Sequence, residues 1–348
     1  MASQLALFDV GTTHDVVARS RDTAKTQRSA STALETCSTE RALSRFQDLA
    51  ESYEQEAYAE RTRAIYRSDW AVFERWCRAH GLSALPASTD TLCRYLACMA
   101  GELGRKASTI RRARCSIGLA HAHAGLPRPD AHARVRALER GIARKHGARA
   151  EGAEPLLQEH LLPVVRTFGC APHDLRNRAV ILLGFAGAYR ASDLVRLDIE
   201  HLSFSAEGLR VLLVRSKEDQ LGLGAYTDIP CGVCAETCPV QALRAWLGLV
   251  GRPAGPLFRA IFRTRIEHKR ITTRRVSQIV QLAATRAGLG DNFSAHSLRA
   301  GLATSAYAQG ATEREIQAHG RWADRRSLDR YIHVQRMPNR KNVATGLF

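Results

Sequence analysis

The chain has 348 residues, which is enough for two domains that each bury a core of their own. Its 51 Lys and Arg residues outnumber its 34 Asp and Glu residues, and the net charge of +17 favours a polyanionic partner such as nucleic acid. No apolar run is long enough to span a membrane and the N-terminus lacks a secretion-signal pattern, which favours a cytoplasmic protein associated with the nucleoid.

The first part of the chain changes character near residue 45. Residues 1–45 are rich in Ser, Thr and Ala and show little periodicity, which predicts a disordered tail. Residues 46–147 show helical periodicity and are predicted to form a helical domain. Its first clear amphipathic helix covers 61–77, where one apolar stripe holds Tyr66, Trp70, Phe73 and Cys77.

A second amphipathic helix is predicted over 108–123, with inward positions at Ile110, Ala113, Ile117 and Ala120. The basic faces of the two helices could simply be solvated, as most such faces are. In a chain this basic we favour contact with DNA, with arginines on phosphates and a few on base edges. The predicted DNA-binding residues are Arg67, Arg75, Arg105, Lys106, Arg111, Arg112 and Arg114.

Small and polar residues interrupt the helical pattern at 148–155, which predicts an interdomain linker. Residues 156–335 are predicted to form a second, mixed α/β domain that is mostly helical. The strands of a small antiparallel sheet are predicted near 201–204, 209–214 and 226–229. Thr273 is the predicted N-cap of a later helix.

Three polar residues in the first half of this domain suit a reactive site. An apolar helix that begins at the N-cap Asp174 is predicted to carry Arg190 at its end, and Asp193 follows near the start of the next helix. Lys217 lies on the hairpin between the second and third predicted strands, where two glycines give a flexible turn. A surface ion pair and a solvated loop lysine are the ordinary alternatives for these residues.

The stretch 293–332 collects the remaining candidates. His296 and Arg299 form an H-x-x-R pair, so on a helix they share one face and could converge on one small anion. Tyr331 lies nine residues after Trp322, and a tyrosine among cations is a potential nucleophile because positive charge favours the phenolate. This set of groups could attack a phosphodiester without a metal ion.

In their order along the chain, these residues resemble the active-site residues of the tyrosine recombinase (phage integrase) family. The matching residues are Arg190, Asp193, Lys217, His296, Arg299, Trp322 and Tyr331. Within the family the chain looks closest to the Cre type, because Trp322 stands where many relatives carry a second histidine. The H-S-x-R-x-G stretch from His296 and the GLPRPD stretch from Gly125 also have counterparts there.

The resemblance implies a mainly α, two-domain protein with a helical, SAM-like core-site DNA-binding domain and a catalytic domain that holds a small antiparallel sheet. The two domains would close around double-stranded DNA. Four copies on two recombination sites would exchange strands through a Holliday junction, while the free protein would be a monomer or a weak oligomer. The apolar positions of the tail 336–348 are Val343, Leu347 and Phe348, and the tail would dock into a neighbouring copy by burying Leu347 and Phe348. A frayed tail is the ordinary alternative.

The family's chemistry, carried onto these positions, makes Tyr331 the nucleophile that attacks a scissile phosphate. The attack would form a 3′-phosphotyrosine and free a 5′-hydroxyl. Arg190 and Arg299 would hold the non-bridging oxygens and stabilise the transition state. Because the phosphotyrosine keeps the free energy of the broken bond, no cofactor is expected.

The same resemblance gives supporting roles to the other matched residues. His296 would assist proton transfer at the tyrosine, and Lys217 would protonate the leaving 5′-oxygen. Trp322 would donate its indole N–H to the phosphate and pack against the tyrosine, while Asp193 would orient the site.

Cysteine and histidine patterns were weighed as metal sites. Residues 231–238 hold a C-x2-C-x3-C run similar to zinc and iron–sulfur ligand spacings. A closed tetrahedral site needs a fourth ligand, and Cys170 is only a distant candidate. His121 and His123 likewise lack further ligands nearby, so no metal site is predicted. In an intracellular protein the nine cysteines are expected to be free thiols.

Three other functions remain open on the sequence. A type IB topoisomerase uses the same groups without sequence specificity, but the spacing from the H-x-x-R pair to Trp322 and Tyr331 favours a recombinase. A non-catalytic DNA-binding protein would keep the charge without needing every chemical group. A metal-binding regulator would depend on the cysteine run.

Overall fold

The computed structural model describes residues 43–49, 52–53, 58, 60–146, 153–214, 224–329 and 331–332. The chain forms two compact units, Met1–Ala150 and Glu151–Phe348, and the division falls within the predicted linker. The predicted mainly α fold with small antiparallel sheets is confirmed. Of the predicted disordered tail only residues 43–45 are described, and they are helical; the rest lies outside the described residues.

Among the described residues, the first unit packs its helices around one apolar core. The helices are α1 (Glu60–Ala79), α2 (Thr89–Gly101), α3 (Ala107–His123) and α4 (Ala133–His146). The predicted stripe of α1 is confirmed: Trp70, Phe73 and Cys77 are buried, and Tyr66 packs half-buried against the same core. The four predicted inward positions of α3 are buried as well.

His121 on α3 is a structural residue. Its Nε2 accepts a hydrogen bond from the Ala87 N–H at 2.8 Å, so the ring proton is on Nδ1, which donates to the Ile117 carbonyl at 2.8 Å. Burial lowers the pKa of His121, which keeps the ring neutral near pH 7. Both ring nitrogens are engaged by backbone groups, so neither is available to a metal ion.

The helices of the second unit surround two small antiparallel sheets. The helices are α5 (Gln158–Arg166), α6 (Pro172–Ala186), α7 (Ala191–Arg196), α8 (Pro239–Val250), α9 (Thr273–Arg286), α10 (Ala295–Ala308), α11 (Glu313–Gly320) and α12 (Arg325–Asp329). One sheet has the strand order β1 (Leu202–Phe204), β2 (Gly208–Leu213) and β3 (Ala225–Pro230), and its strands lie in the three predicted regions. The other sheet pairs β4 (Arg259–Phe262) with β5 (Arg265–Arg270). This second hairpin was not predicted, because its charged residues lack apolar alternation.

Two predicted helix starts are wrong by one to three residues. Helix α6 begins at Pro172 with Ala171 as its N-cap, so Asp174 lies in the first turn. Proline is favoured at the first helical position because its missing N–H would have no partner there. Helix α9 is capped by Thr272, whose hydroxyl accepts a backbone N–H of the first turn, so the cap precedes the predicted Thr273.

Helix α10 lies against the backbone of the segment that enters the second unit. A Cβ at Gly301 would stand 1.8 Å from the Leu156 carbonyl oxygen, so only glycine allows this close approach. The Leu156 N–H also donates to the Ser297 carbonyl at 2.9 Å. These contacts enclose the turn of α10 that carries Arg299.

An ion pair fastens the end of α7 to the second hairpin. Arg270 of β5 donates through Nη2 to both carboxylate oxygens of Asp198, at 2.6 and 2.8 Å. Its Nη1 donates to the carbonyls of Val195 and Leu197 at 3.1 and 3.0 Å, which satisfies acceptors at the helix end. The pair therefore fixes the short helix that follows Arg190.

Gly118 on α3 generates a prediction about the first unit. A Cβ there would stand 2.0 Å from Oδ1 of Asp130, whose buried carboxylate is held by Arg128 at 3.1 and 2.9 Å. We expect Gly118→Ala to lower the free energy of unfolding by about 1–3 kcal/mol, because the carboxylate must leave its partner or strain the helix. Urea unfolding of the full chain measures this change.

The matched control is Gly141→Ala on α4, because Gly141 is exposed and a Cβ there meets nothing within 4 Å. This variant should raise the free energy of unfolding by up to about 1 kcal/mol, because alanine is the better helix former. Equal destabilisation by the two substitutions would contradict the close contact at Gly118.

Candidate active site

The start of α10 is set by a reciprocal cap. The Ser294 hydroxyl accepts the His296 N–H at 3.3 Å, and the Ser297 hydroxyl accepts the Ser294 N–H at 2.9 Å. This cap fixes where the helix begins, so His296 lies exposed in its first turn. Arg299 follows one turn later and is fully buried.

The Arg299 guanidinium is enclosed by a carbonyl and two aromatic rings. Its Nη1 donates to the Ala188 carbonyl at 2.5 Å. Its central carbon lies 3.8 Å from the Trp322 ring centroid and 5.6 Å from the Tyr331 ring centroid. The Trp322 and Tyr331 rings meet edge to face with centroids 5.4 Å apart. The candidate nucleophile therefore stands beside the arginine of its own chain.

The buried N–H donors of this site are of the kind that could bind an anion. Burial, with the neighbouring Arg190 guanidinium, lowers the pKa of Arg299 to about 10, so the group is still charged at pH 7. Within the described part of the chain, Nε and Nη2 of Arg299 and Nε1 of Trp322 are buried and find no hydrogen-bond partner. Buried donors without acceptors are costly and rare, and here an oxyanion would satisfy them.

Arg190 is positioned by Asp193. Arg190 is the N-cap of α7 and does not end α6 as predicted, because the backbone turns at Gly187. Asp193 is buried, and its carboxylate accepts the Arg190 N–H at 3.2 Å and the Ser192 hydroxyl at 3.3 Å. Ala188, in the same turn, adopts a left-handed conformation with φ of 47°. Asp193 thus fixes the backbone that carries Arg190.

The structure brings most of the predicted catalytic residues together. Arg190 and Asp193 lie close enough to Arg299 to shift its pKa in opposite directions. Trp322 belongs to a small apolar cluster, against which Tyr331 packs. The Tyr331 carbonyl also accepts the Thr304 hydroxyl at 2.9 Å.

Lys217 lies outside the described residues, and its placement stays a prediction. Arg321 was missed by the sequence reasoning, although it lies beside Trp322. Its guanidinium reaches Thr227 of β3 and the Gly187 carbonyl, and it stacks 4.9 Å from the Tyr189 ring centroid. An arginine at a helix end is normally exposed to solvent. Only the neighbouring Trp322 could have indicated from the sequence that Arg321 lies at the site.

Several arginines predicted to contact DNA also form ion pairs within the first unit. Arg112 donates to both carboxylate oxygens of Asp69, at 2.8 and 3.0 Å, and so joins α3 to α1. Arg111 donates to Glu139 of α4 at 2.7 Å, and Arg114 forms an ion pair with the same carboxylate at 3.1 Å. These side chains therefore have structural partners as well as basic character.

The remaining predicted DNA-binding residues lie on the surface. Arg67 is exposed and pairs with Glu60 at 2.9 Å. Arg75, Arg105 and Lys106 are exposed. Contact of all seven basic residues with DNA stays a prediction.

The cysteine run does not form a metal site among the described residues. No group of three or more His, Cys, Asp or Glu side chains there is arranged to hold a metal ion. Cys238 is buried, and its sulfur accepts the Gly232 N–H at 3.1 Å, whereas Cys231 and Cys234 are exposed. Within the same described residues, no helix is long and apolar enough to cross a membrane.

Comparison with known proteins gives consistent matches. Residues 157–337 match the phage integrase family. The chain is similar to an integrase/recombinase XerD homolog of Selenomonas ruminantium, with 36% identity over 280 residues that cover 79% of this chain and 82% of the relative. It is similar to tyrosine recombinase XerC of Bifidobacterium longum (strain DJO10A), with 31% identity over 49% of this chain and 47% of the relative. The chain thus spans about half the length of this XerC relative.

The fold of this chain is also similar to that of a solved structure. The Tn1549 transposon integrase in complex with circular intermediate DNA has a TM-score of 0.59 at 12% identity, over 86% of this chain and 96% of that one. The predicted family is confirmed by the family and XerD matches. The closer likeness to the Cre type stays a prediction.

The buried donors of Arg299 predict a measurable anion effect. Inorganic sulfate should raise the melting temperature of the chain, because an anion that binds the folded state alone stabilises it. At ten times its dissociation constant the gain is about 1.4 kcal/mol. Arg299→Met should lose most of the effect, whereas Arg252→Met, which removes an exposed arginine, should keep it. Equal stabilisation of all three proteins would show that sulfate acts nonspecifically.

Proposed function

We propose that this chain, which belongs to the phage integrase family, cuts and rejoins DNA strands with Tyr331 as its nucleophile. The chain is a tyrosine-type site-specific recombinase. One observation carries the assignment of residue roles. Two nitrogens of the buried Arg299 guanidinium, Nε and Nη2, have no hydrogen-bond partner among the described residues, and the Tyr331 ring centroid lies 5.6 Å from the guanidinium carbon.

In the proposed reaction the phenolic oxygen of Tyr331 attacks the scissile phosphorus, and the bond to the 5′-oxygen breaks. The phenol loses one proton and the leaving oxygen gains one, so the step consumes no water. Extra negative charge develops on the non-bridging oxygens, to which Nε and Nη2 of Arg299 and Nε1 of Trp322 would donate. These donors are already dehydrated and fixed, so they need little reorganisation.

The remaining roles follow from position. Arg190 provides a second cation for the phosphate, and Asp193 fixes its backbone. His296, which is exposed at the start of α10, would accept the phenolic proton. Lys217, which follows β2 in the sequence and lies outside the described residues, would protonate the leaving oxygen.

Duplex DNA is the proposed partner of both units. Support comes from the net charge of +17 and from the exposed Arg75, Arg105 and Lys106. The similar Tn1549 integrase structure is itself a complex with DNA. We infer that a protein with this partner works in the cytoplasm, in association with the nucleoid. Sequencing the DNA that becomes covalently trapped on the protein identifies the target site.

A groove on the second unit supports an assembly role for the tail 336–348, which lies outside the described residues. The groove has a volume of about 1000 Å³. Its apolar lining includes Leu162, Phe185, Val233, Leu302 and Ile316. Burial of Leu347 and Phe348 would contribute roughly 1.5–3 kcal/mol each. The proposal is that the tail of one copy occupies the groove of the next, in a tetramer on two DNA sites.

Tyr331→Phe should abolish covalent protein–DNA adducts and leave DNA binding unchanged, because only the attacking oxygen is lost. Adducts are measured on denaturing gels, with duplex DNA that carries the target site identified by sequencing. Tyr307→Phe, which changes an exposed side chain of α10, is the control and should form adducts normally. Adducts that persist without Tyr331 would reveal another nucleophile, and relaxation of supercoiled DNA without that site would favour a topoisomerase.

Lys217→Ala should slow cleavage of ordinary DNA by about 100-fold or more, as expected for loss of a general acid. The variant should be largely rescued by DNA whose 5′-bridging oxygen is sulfur, because a thiolate leaves without a proton. Lys269→Ala removes an exposed lysine of β5 and should behave as wild type on both substrates. Equal defects of Lys217→Ala on both substrates would contradict the proton-donor role.

Removal of residues 342–348 should leave single-site binding nearly unchanged and weaken synapsis and recombination. Val233→Glu, on the exposed rim of the groove, should cause the same loss from the receiving side. The gel mobilities of one-site and two-site complexes distinguish single-site binding from synapsis. Normal recombination by the shortened chain would show that the tail does not link the copies.

A further inference from the structure

The cysteine run, residues 231–238, holds two thiols that the proposed reaction does not use. Cys231 and Cys234 are both exposed, and both lie on the lining of the groove of about 1000 Å³ on the second unit. Cys238 is buried, and its sulfur accepts the Gly232 N–H at 3.1 Å. Reagents in solution therefore reach the first two sulfurs more readily than the third.

The cysteine run is tightly folded and anchored at both ends. Cys231 follows β3, and its N–H donates to the Glu207 carbonyl at 3.2 Å, while Cys238 is the N-cap of α8. A Cβ at Gly232 would stand 3.0 Å from Cα of Cys238 and 3.5 Å from the Cys234 carbonyl oxygen. The chain thus folds back on itself at Gly232, which lies between the two exposed thiols. Cysteines separated by two residues are the spacing from which disulfide oxidoreductases form their disulfide.

Cys234 has the surroundings of a nucleophilic thiol. It directly precedes the 3-10 turn Ala235–Thr237. Hydrogen bonds from the Thr237 backbone, from the Thr237 hydroxyl and from the Glu236 backbone lower the pKa of Cys234. The thiolate is the reactive form of cysteine, and oxidants select exposed thiols of low pKa that have a second cysteine nearby.

We propose that Cys231 and Cys234 form a redox-active thiol pair, in which Cys234 reacts with a peroxide and Cys231 resolves the oxidised sulfur into a disulfide. The Cys234 thiolate attacks one peroxide oxygen, the O–O bond breaks, and the sulfur becomes a sulfenic acid. The Cys231 thiol then attacks that sulfur, so that the S–S bond forms and the S–O bond breaks with loss of water. In sum, the two thiols are oxidised to one disulfide while hydrogen peroxide is reduced to water.

The position of the pair gives the disulfide a consequence for the groove. Val233 lies between the two cysteines and is fully exposed on the groove rim. A disulfide would close a small ring that contains Val233 and would hold this part of the rim in one conformation. Oxidation would then weaken assembly through the groove. This consequence rests on the proposed function, in which the groove receives the tail of another copy, whereas the thiol chemistry does not.

Alkylation of the reduced full chain tests the nucleophilic role of Cys234. At pH 7 iodoacetamide should modify Cys234 about 3–10-fold faster than Cys170, because thiolates are the species that react. Cys170 is the matched reference, since it is an exposed cysteine of the same unit that lies outside the run. The rates are measured by mass spectrometry of the alkylated peptides. Equal rates at the two thiols would overturn this role.

Peptide mapping of the full chain after treatment with hydrogen peroxide tests the disulfide. Trypsin releases residues 218–244 as one peptide that contains all three cysteines of the run. In the unreduced digest, fragmentation should place a link between Cys231 and Cys234 and leave only Cys238 open to alkylation. Cys234→Ser should abolish the link, and Cys170→Ser should keep it. Three free thiols, a link to Cys238, or an oxidised Cys234 without a link would overturn the proposal.

Gel mobility of the DNA complexes tests the consequence for assembly. Peroxide should weaken two-site complexes about tenfold, as expected for lost burial of one apolar side chain, and should leave single-site binding unchanged. Dithiothreitol should reverse the effect, and Cys231→Ser should not respond to peroxide. A mapped link without any effect on two-site complexes would overturn the assembly role. If the reduced chain forms no two-site complex with any DNA, the proposed function fails, and peptide mapping still decides the thiol chemistry.

Discussion

The second unit is arranged around a cation that has been removed from water. Arg299 is fully buried, and isolated buried charges are unfavourable unless the surroundings compensate them. Compensation is partial: one N–H reaches the Ala188 carbonyl, the Trp322 ring covers a face, and Asp193 is nearby. Under the proposed function, a DNA phosphate would supply the remaining compensation.

The surrounding fold holds this cation by close contacts and local strain. Gly301 lets α10 lie against the Leu156 backbone, and this packing encloses the turn of Arg299. Ala188 and Arg321 both adopt left-handed conformations at turns that meet the site. Such strain persists because several independent bonds determine each turn, and it keeps donors in place before the substrate arrives.

Local patterns predicted what depends on local physics. The apolar stripe of Trp70, Phe73 and Cys77 predicted α1, and the β-branched run at 209–214 predicted β2. Contacts between distant residues could not be read in this way. Arg299 meets Ala188 across 111 residues of chain, and Arg321 meets Gly187 across 134.

The ion pairs of the predicted DNA-binding arginines could not be predicted from the sequence for the same reason. Their acidic partners lie on other helices, so the sequence showed basic residues and not their pairing. The hairpin β4–β5 was not predicted, because a strand is recognised in a sequence by alternating apolar and polar residues. Its many charged residues do not show that alternation.

The account depends most directly on the claim that Arg299 and Tyr331 act on one phosphate. Mass spectrometry of proteolysed protein–DNA adducts tests it by locating the modified residue. We predict a nucleotide joined through its 3′-phosphate to the tryptic peptide that contains Tyr331, with adduct formation lost in Arg299→Met. A nucleotide on any other residue, or undiminished adducts without Arg299, would contradict the account.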